Sequence, residues 1–420
     1  MKMVFKSADI LIPKNGTDMT KWSVVACDQY TSEPQYWNKT ESIVGDAVST
    51  LRLTLPEIYL EDADVEQRID SINKTMNEYI ENSVFDEYKD SFVYIERTQE
   101  DGRVRKGLIG VIDLEEYDYS KGSKSPVRAT EATVAERIPP RVKIRKGASL
   151  ELPHIMILID DPDMSVIEPL TSMKCDFKKV YDFEMMQNSG SIVGYVCNDS
   201  AKESIYNALD ALQNKEKFNA KYGLENEEVL TYAMGDGNHS LATAKACYEQ
   251  LKAENPGVDL SDNCARYALV EIVNLHSDAL QFEAIHRIVT NVDTDDIMAK
   301  MTESLGLCEG TDGQSFEVVI NGQHKSYSVT KPTSNLTVGS LQSFLDAYLK
   351  ESNASIDYIH GIEVVDELSK NANSIGFILP DMDKSELFPT VIKDGALPRK
   401  TFSMGHAWDK RFYIECRKIK

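Results

Sequence analysis

The sequence predicts a mixed-sheet fold of the α/β or α+β class. Segments of strand and helix period alternate along the chain without a long linker or an internal repeat, and hairpin signals stand among helical crossovers. A hydrophobic fraction of 42% over 420 residues, with 19 Tyr, 13 Phe and 3 Trp, is enough to build a packed core and excludes wholesale disorder. That length suggests roughly two to three domains.

Taken in order, Ser32-Glu-Pro-Gln35 reads as a helix start, with Pro34 in the first turn. Residues 62–84 carry Val65, Ile69, Ile72, Met76 and Ile80 at spacings of three and four, the pattern of an amphipathic helix. Residues 92–97 and 107–114 flank a Glu-Asp-Gly-Arg turn and predict a β-hairpin. Residues 152–159 form a short aliphatic-rich strand that ends at Asp160-Asp-Pro-Asp163. Strands follow at 178–184 and 191–197, then a helix at 200–215. Residues 229–234 are an apolar strand, and a helix at 241–252 follows the Gly235-Asp-Gly-Asn-His-Ser240 turn. Further strands are expected at 267–273 and 284–289, with a hairpin at 315–329 around Asn321-Gly322. Helices near 338–350 and 363–369, a strand at 375–379 and two closing strands at 401–404 and 411–415 complete the pattern. The acidic loop at Asp160–Asp163 is the expected border between an N-terminal half, 1–163, and a C-terminal half, 164–420, unless the two are one interwoven unit.

Against 46 Lys and Arg stand 68 Asp and Glu, a formal charge of −22 that repels phosphate backbones and anionic lipid. Neither a nucleic acid nor a membrane surface is therefore expected as partner. Seven cysteines, an odd number with no CxxC pair, fit reduced thiols. Met1–Asn15 has no continuous apolar stretch of the secretory type, so the expected location is the cytoplasm.

The most chemically suggestive segment is the turn from 235 to 240. Gly235 and Gly237 permit close ligand approach and positive φ, and Asn238 or Ser240 is placed to cap the following helix. Backbone N–H groups at a helix start favour an anion, and His239 adds a donor or proton acceptor at the same spot. The same residues also suit a capped corner with a solvated histidine. The turn is neither a P-loop nor a GxGxxG fingerprint. From 125 to 146, six basic residues including Arg128, Arg137 and Arg141 face two acids, Glu131 and Glu136, so this window is +4 within an acidic chain. Arginine forks match carboxylate and phosphate oxygens, and they serve equally well in pairing with distant acids. His286 and Arg287 form a third candidate on a strand, where only one of two neighbours faces a given pocket. Asp160, Asp161 and Asp163 suit either Mg²⁺ or a plain acidic loop, and Cys27 and Asp28 end an apolar run.

These segments together resemble the bacterial family catalogued as domain of unknown function 1015, over nearly the whole length. The resemblance rests on Val24-Val-Ala-Cys-Asp-Gln-Tyr30, Arg128-Ala-Thr-Glu-Ala-Thr-Val-Ala-Glu-Arg-Ile-Pro-Pro-Arg141 and Leu152-Pro-His-Ile-Met-Ile-Leu-Ile-Asp160. It continues in the 235–240 turn, Ile285-His-Arg-Ile288 and Tyr358-Ile-His-Gly361. Many relatives read Asp-Gly-His-His-Arg at the turn, whereas this chain has Asn238 for the first histidine and Ser240 for the arginine. The turn is also similar to that of ParB-like free-serine kinases. That similarity implies a ParB/sulfiredoxin-like core around the turn and a phosphotransferase using Mg²⁺ with ATP or ADP on a small anionic metabolite. Asp236 would be a metal or base group and His239 a phosphate contact. Gly235, Gly237, Asn238 and Ser240 would form the cradle, with Arg128, Arg137 and Arg141 as a clamp, and Asp28 and Glu131 are reserve candidates for general base on chemical type alone. A non-catalytic regulatory protein using the same anion pocket is the other function class. Residues 128–141, 235–240 and 286–287 are expected to line a single pocket if an anion is recognised there.

Overall fold

The computed structural model describes residues 3–131 and 138–420. The chain forms two compact units, Met1–Gln281 with Gly405–Lys420, and Phe282–Met404. No division falls at Asp160–Asp163, because the strand just before it, Met156–Ile159, pairs with Tyr232–Asp236 on one side and Tyr267–Asn274 on the other. Asp161 instead closes a tight loop, its carboxylate accepting from the Ser165 and Val166 N–H groups at 2.6 and 2.9 Å.

The first unit is built on a ten-stranded mixed sheet. Its order is Lys178–Glu184, Ser191–Val196, Val93–Thr98, Val104–Asp113, Tyr267–Asn274, Met156–Ile159, Tyr232–Asp236, Val127–Arg128 and Tyr117–Asp118, with Phe5–Lys6 beside Val104–Asp113. Three neighbouring pairs are parallel, Tyr232–Asp236 with Val127–Arg128, Tyr267–Asn274 with Met156–Ile159, and Tyr117–Asp118 with Val127–Arg128. The central strands are buried on both faces, which explains why Met156–Ile159 is aliphatic throughout and does not alternate. One face packs Phe5, Phe92, Ile157, Met234, Leu241 and Ile272 in a single cluster, and the other packs Ile10, Val25, Ile95, Ile109 and Ile414. The helix Val65–Glu81 buries Ile69, Ile72 and Met76, as its three-and-four spacing predicts.

The second unit holds a six-stranded sheet with helices Thr294–Leu305, Thr337–Lys350, Ile362–Ser369 and Leu387–Asp394. Its hairpin turns at Asn321 and Gly322, with φ of 52° and 70°, the positive pair that a two-residue loop between right-twisted strands requires.

Three local expectations are corrected. Pro139-Pro140 suggests an ordered loop, yet Ile138–Gly147 is helical, because both prolines sit in its first turn, where no N–H would be bonded. The helix expected at 200–215 is Asp199–Leu212, and an unexpected second helix, Lys215–Tyr222, follows it, since Asn214 accepts from the Lys217 N–H at 2.9 Å and caps a new start. Residues 411–415 are extended but form no strand of their own. They are held by isolated bridges, Val25 to Phe412 and Leu11 to Cys416, before Arg417–Lys418 pairs with Leu150–Glu151. No helix among the described residues is long and apolar enough to cross a membrane.

Candidate functional site

Strand Tyr232–Asp236 turns into helix Asn238–Glu254 through Gly237, whose φ is +81°. Asp236 Oδ1 accepts the Gly237 N–H at 3.0 Å, and the Ser240 and Leu241 N–H groups donate to the Gly237 carbonyl at 3.0 and 3.1 Å. Asn238 and His239 occupy the first turn, whose leading N–H groups have no partner within a helix. Asn238 Oδ1 is buried with no hydrogen-bond partner among the described residues. Thr243 Oγ1 donates to the His239 carbonyl at 2.7 Å and steadies that turn.

Two remote segments are brought to the corner. The first is Val24–Asp28, which runs antiparallel to the C-terminal stretch. The Ala26 N–H donates to the Arg411 carbonyl at 2.9 Å, and the Tyr413 N–H donates to the Val24 carbonyl at 2.9 Å. The second is the turn before Met156–Ile159, carrying His154. His154 Nδ1 lies 2.8 Å from the Tyr413 hydroxyl, and its Nε2 is 3.0 Å from Ser240 Oγ and 3.8 Å from Asp28 Oδ2. The Tyr413 hydroxyl also accepts the Cys27 N–H at 3.2 Å. Tyr413 thus bridges the Cys27 N–H and one ring nitrogen of His154, and the other ring nitrogen faces Ser240 and Asp28. Lys410 Nζ stands 3.3 Å from Asp236 Oδ2, with side-chain exposures of 9% and 23%.

The electrostatics follow from this packing. Burial alone raises the Asp28 carboxyl, but His154, the Gln29 amide and Lys410 outweigh it and hold the group below the ordinary carboxylate value. Burial, with Asp28 and Glu57 nearby, pushes the Cys27 thiol up to about 12, so it is no nucleophile at neutral pH. Beneath the corner, Arg411 anchors the C-terminal stretch. It pairs with Glu271 at 2.7 Å and with Glu415, and donates to the Pro153 carbonyl at 3.1 Å, next to His154. Arg97, close by and fully buried, is lowered to about 9 by desolvation and by its neighbour Arg105.

A cavity of about 150 Å³ opens from this corner between the helices Ile138–Gly147 and Val65–Glu81. His154, Ser240, Thr243, Tyr413 and Cys27 line one end. Arg141 lies on its wall, paired with Glu57.

The sequence-predicted residues are distributed unevenly. Gly235, Asp236, Gly237, Asn238, His239 and Ser240 form the corner, and Asp28 reaches it through His154. Arg128 does not serve as a clamp: 4% exposed, it donates to the Ser125 carbonyl at 2.7 Å and the Glu228 carbonyl at 2.9 Å, near the opposite end of the strand from Asp236. Arg137 lies outside the described residues, whereas Glu131 is among them and half-buried. His286 and Arg287 belong to the second unit and have partners within it. His286 Nδ1 accepts the Leu379 N–H at 3.2 Å, and burial holds its pKa down. Arg287 bonds Gln342 Oε1 at 3.2 Å and the carbonyls of Arg399 and Lys400 at 3.1 and 2.9 Å. The residues that sequence reasoning missed are His154, Lys410 and Tyr413. His154 was visible as the one histidine within a conspicuously aliphatic run, whereas Lys410 and Tyr413 carried no signal.

Asp160 is 2.7 Å from His276 Nε2 and 2.8 Å from Lys221 Nζ, so its loop is tied by side chains and not arranged as an ion cage. Among the described residues no group of three or more His, Cys, Asp or Glu is placed to hold a metal ion.

Residues 11–348 match the model of the DUF1015 family, described as a protein of unknown function, and the chain belongs to that family. No curated protein matches it. Among solved structures it is similar to a conserved hypothetical protein from Pyrococcus furiosus, at 11% identity and a TM-score of 0.37, over 74% of this chain and 94% of that one. It is similar to a free serine kinase in complex with AMP, at 13% identity and a TM-score of 0.39, over 74% and 91% of the two chains. A C-terminally truncated SbnI from Staphylococcus aureus matches at 9% identity and a TM-score of 0.37, over 71% and 82%.

Proposed function

We propose that this chain is a cytoplasmic enzyme acting on a small phosphorylated or carboxylated metabolite, and that its reaction is phosphoryl transfer of the free-serine-kinase type. The observation that carries the reading is the meeting of Asp28, His154 and Ser240 at a helix start, with His154 Nε2 3.0 Å from Ser240 and 3.8 Å from Asp28. Asp28, held ionised, is the base that takes a proton from an acceptor hydroxyl. His154 orients that hydroxyl, and the N–H groups of Asn238 and His239 face the anion. Lys410, beside Asp236, supplies the positive charge that Arg128 does not. A ParB/sulfiredoxin-like core around the turn is the fold this reading implies.

ATP or ADP with Mg²⁺ are the cofactors of such a reaction. Mg²⁺ is commonly held by one or two carboxylates together with substrate phosphates. Asp236 fits that role with the nucleotide completing the shell, while an all-protein cage does not fit the described residues. The ion would neutralise charge on the transferring group.

The test is incubation with ATP or ADP, Mg²⁺ and a panel of amino acids, followed by phosphorus NMR for a new phosphorylated product. Asp28→Asn should lower turnover by about 10²–10⁴-fold while leaving nucleotide binding intact, the usual range for a general base. One observation favours the regulatory reading: the Ser240 hydroxyl at the helix start is already engaged with His154 Nε2 at 3.0 Å. Nucleotide or phosphate binding without any product would decide for that reading.

A further inference from the structure

We propose that the cavity beside the corner is a pocket for an apolar group of the substrate, about six carbons in size, joined to the anionic or hydroxyl head held at His154 and Ser240. The inference rests on reading that polar end as the reacting site. Its floor is Leu53, Leu55, Met76 and Leu150, all buried, with Ile144 at the side, and none of these side chains offers a hydrogen bond. A volume of about 150 Å³ is that of a cavity that holds one benzene-sized molecule. It is far too small for a peptide segment or a helix.

The charges at its wall are already neutralised. Arg141 pairs with Glu57, and Arg145 lies 2.6 Å from Glu151. The wall therefore leaves the floor to a neutral group. Serine, with a single side-chain carbon, would leave that floor uncovered, and a purine would bring ring nitrogens to side chains that cannot bond them. A substrate whose hydrocarbon part reaches the leucines, with its polar head at the helix start, satisfies both ends.

The experiment is calorimetric titration of the full chain with inorganic phosphate and then with n-alkyl phosphates from methyl to octyl, with n-alkanoates in parallel. Affinity should rise about fourfold per methylene, the effect of burying one CH₂, and level off near six carbons. Ala148→Leu fills the cavity and should abolish the gain while keeping the affinity for inorganic phosphate, because Ala148 packs in one apolar cluster with Leu53, Leu55, Met76 and Leu150 of the floor. Leu60→Phe, at a half-buried position of the lining, narrows the same space if the first variant does not fold. A flat affinity across both series, or no binding by any member, overturns the proposal. So does loss of AMP binding in the filled variant in parallel with loss of hexyl phosphate binding, which would make the cavity a nucleotide-base pocket. Absence of turnover in the kinase assay, with the chain-length dependence intact, would defeat the phosphotransfer reading and leave this one standing.

Discussion

Replacing Gly237 by Ala tests whether the corner is built by close packing as well as by backbone conformation. At φ +81° an alanine meets the left-handed penalty, of the order of 1–2 kcal/mol, partly offset by the reduced freedom of the unfolded chain. A Cβ there would also stand 3.0 Å from Ile155 Cα and 3.2 Å from Ile155 Cγ1. Ile155 belongs to the segment that presents His154, and backbone cannot move aside as a flexible side chain would. Overpacking of this kind costs about 1–3 kcal/mol. Gly223, which ends helix Lys215–Tyr222 at φ +63° with nothing within 4 Å of its would-be Cβ, isolates the conformational part. Gly223→Ala should therefore destabilise by about 1 kcal/mol and Gly237→Ala by about 2–4 kcal/mol. Urea unfolding followed by tryptophan fluorescence reads the difference cleanly, because Trp22, Trp37 and Trp408 all lie in the first unit. Equal losses in the two variants, within about 0.5 kcal/mol, would refute the packed-corner argument.

Other consequences are open to measurement. Glu271→Gln leaves the buried Arg411 guanidinium short of one partner and should destabilise the first unit by about 3 kcal/mol or more, with a loss below about 1 kcal/mol counting against the network. Alkylation of the native protein at pH 8 should reach Cys175, Cys264 and Cys308, which are exposed, and spare Cys27, whose pKa is about 12, until denaturant is added; mass spectrometry of the labelled peptides decides. In the second unit, His324 is 2.8 Å from Glu317 and 2.7 Å from Asp366, which raise its pKa above the usual value of 6.5. Its contribution is then complete below pH 6.5 and disappears as pH rises through the elevated folded value. Because the groups are more than a third exposed, that contribution should not exceed about 0.5 kcal/mol, and an NMR titration midpoint at or below 6.5 would contradict the pairing.

Where a feature is local, the residues announced it. The spacing of Ile69, Ile72 and Met76 specifies a helical face, and Asn321-Gly322 specifies a hairpin turn, because each depends on dihedral preferences and side-chain period over a few positions. The strand–turn–helix corner at Gly235–Ser240 was legible for the same reason, since a glycine between an apolar strand and a helical run has few other uses. What the corner does was not. Tyr413 meets His154 across 259 positions of chain, and Lys410 reaches Asp236 only because a tail following the second unit returns to the first. No periodicity encodes such a meeting. Arg128 and Arg141 looked alike as guanidinium donors in a basic window, yet one bonds backbone carbonyls and the other pairs with Glu57 on the cavity wall. Charge is a property of a residue, but the partner that uses it is a property of the packed chain. For that reason composition and spacing pointed to an anion site, whereas only the tertiary structure decided which side chains meet at the corner.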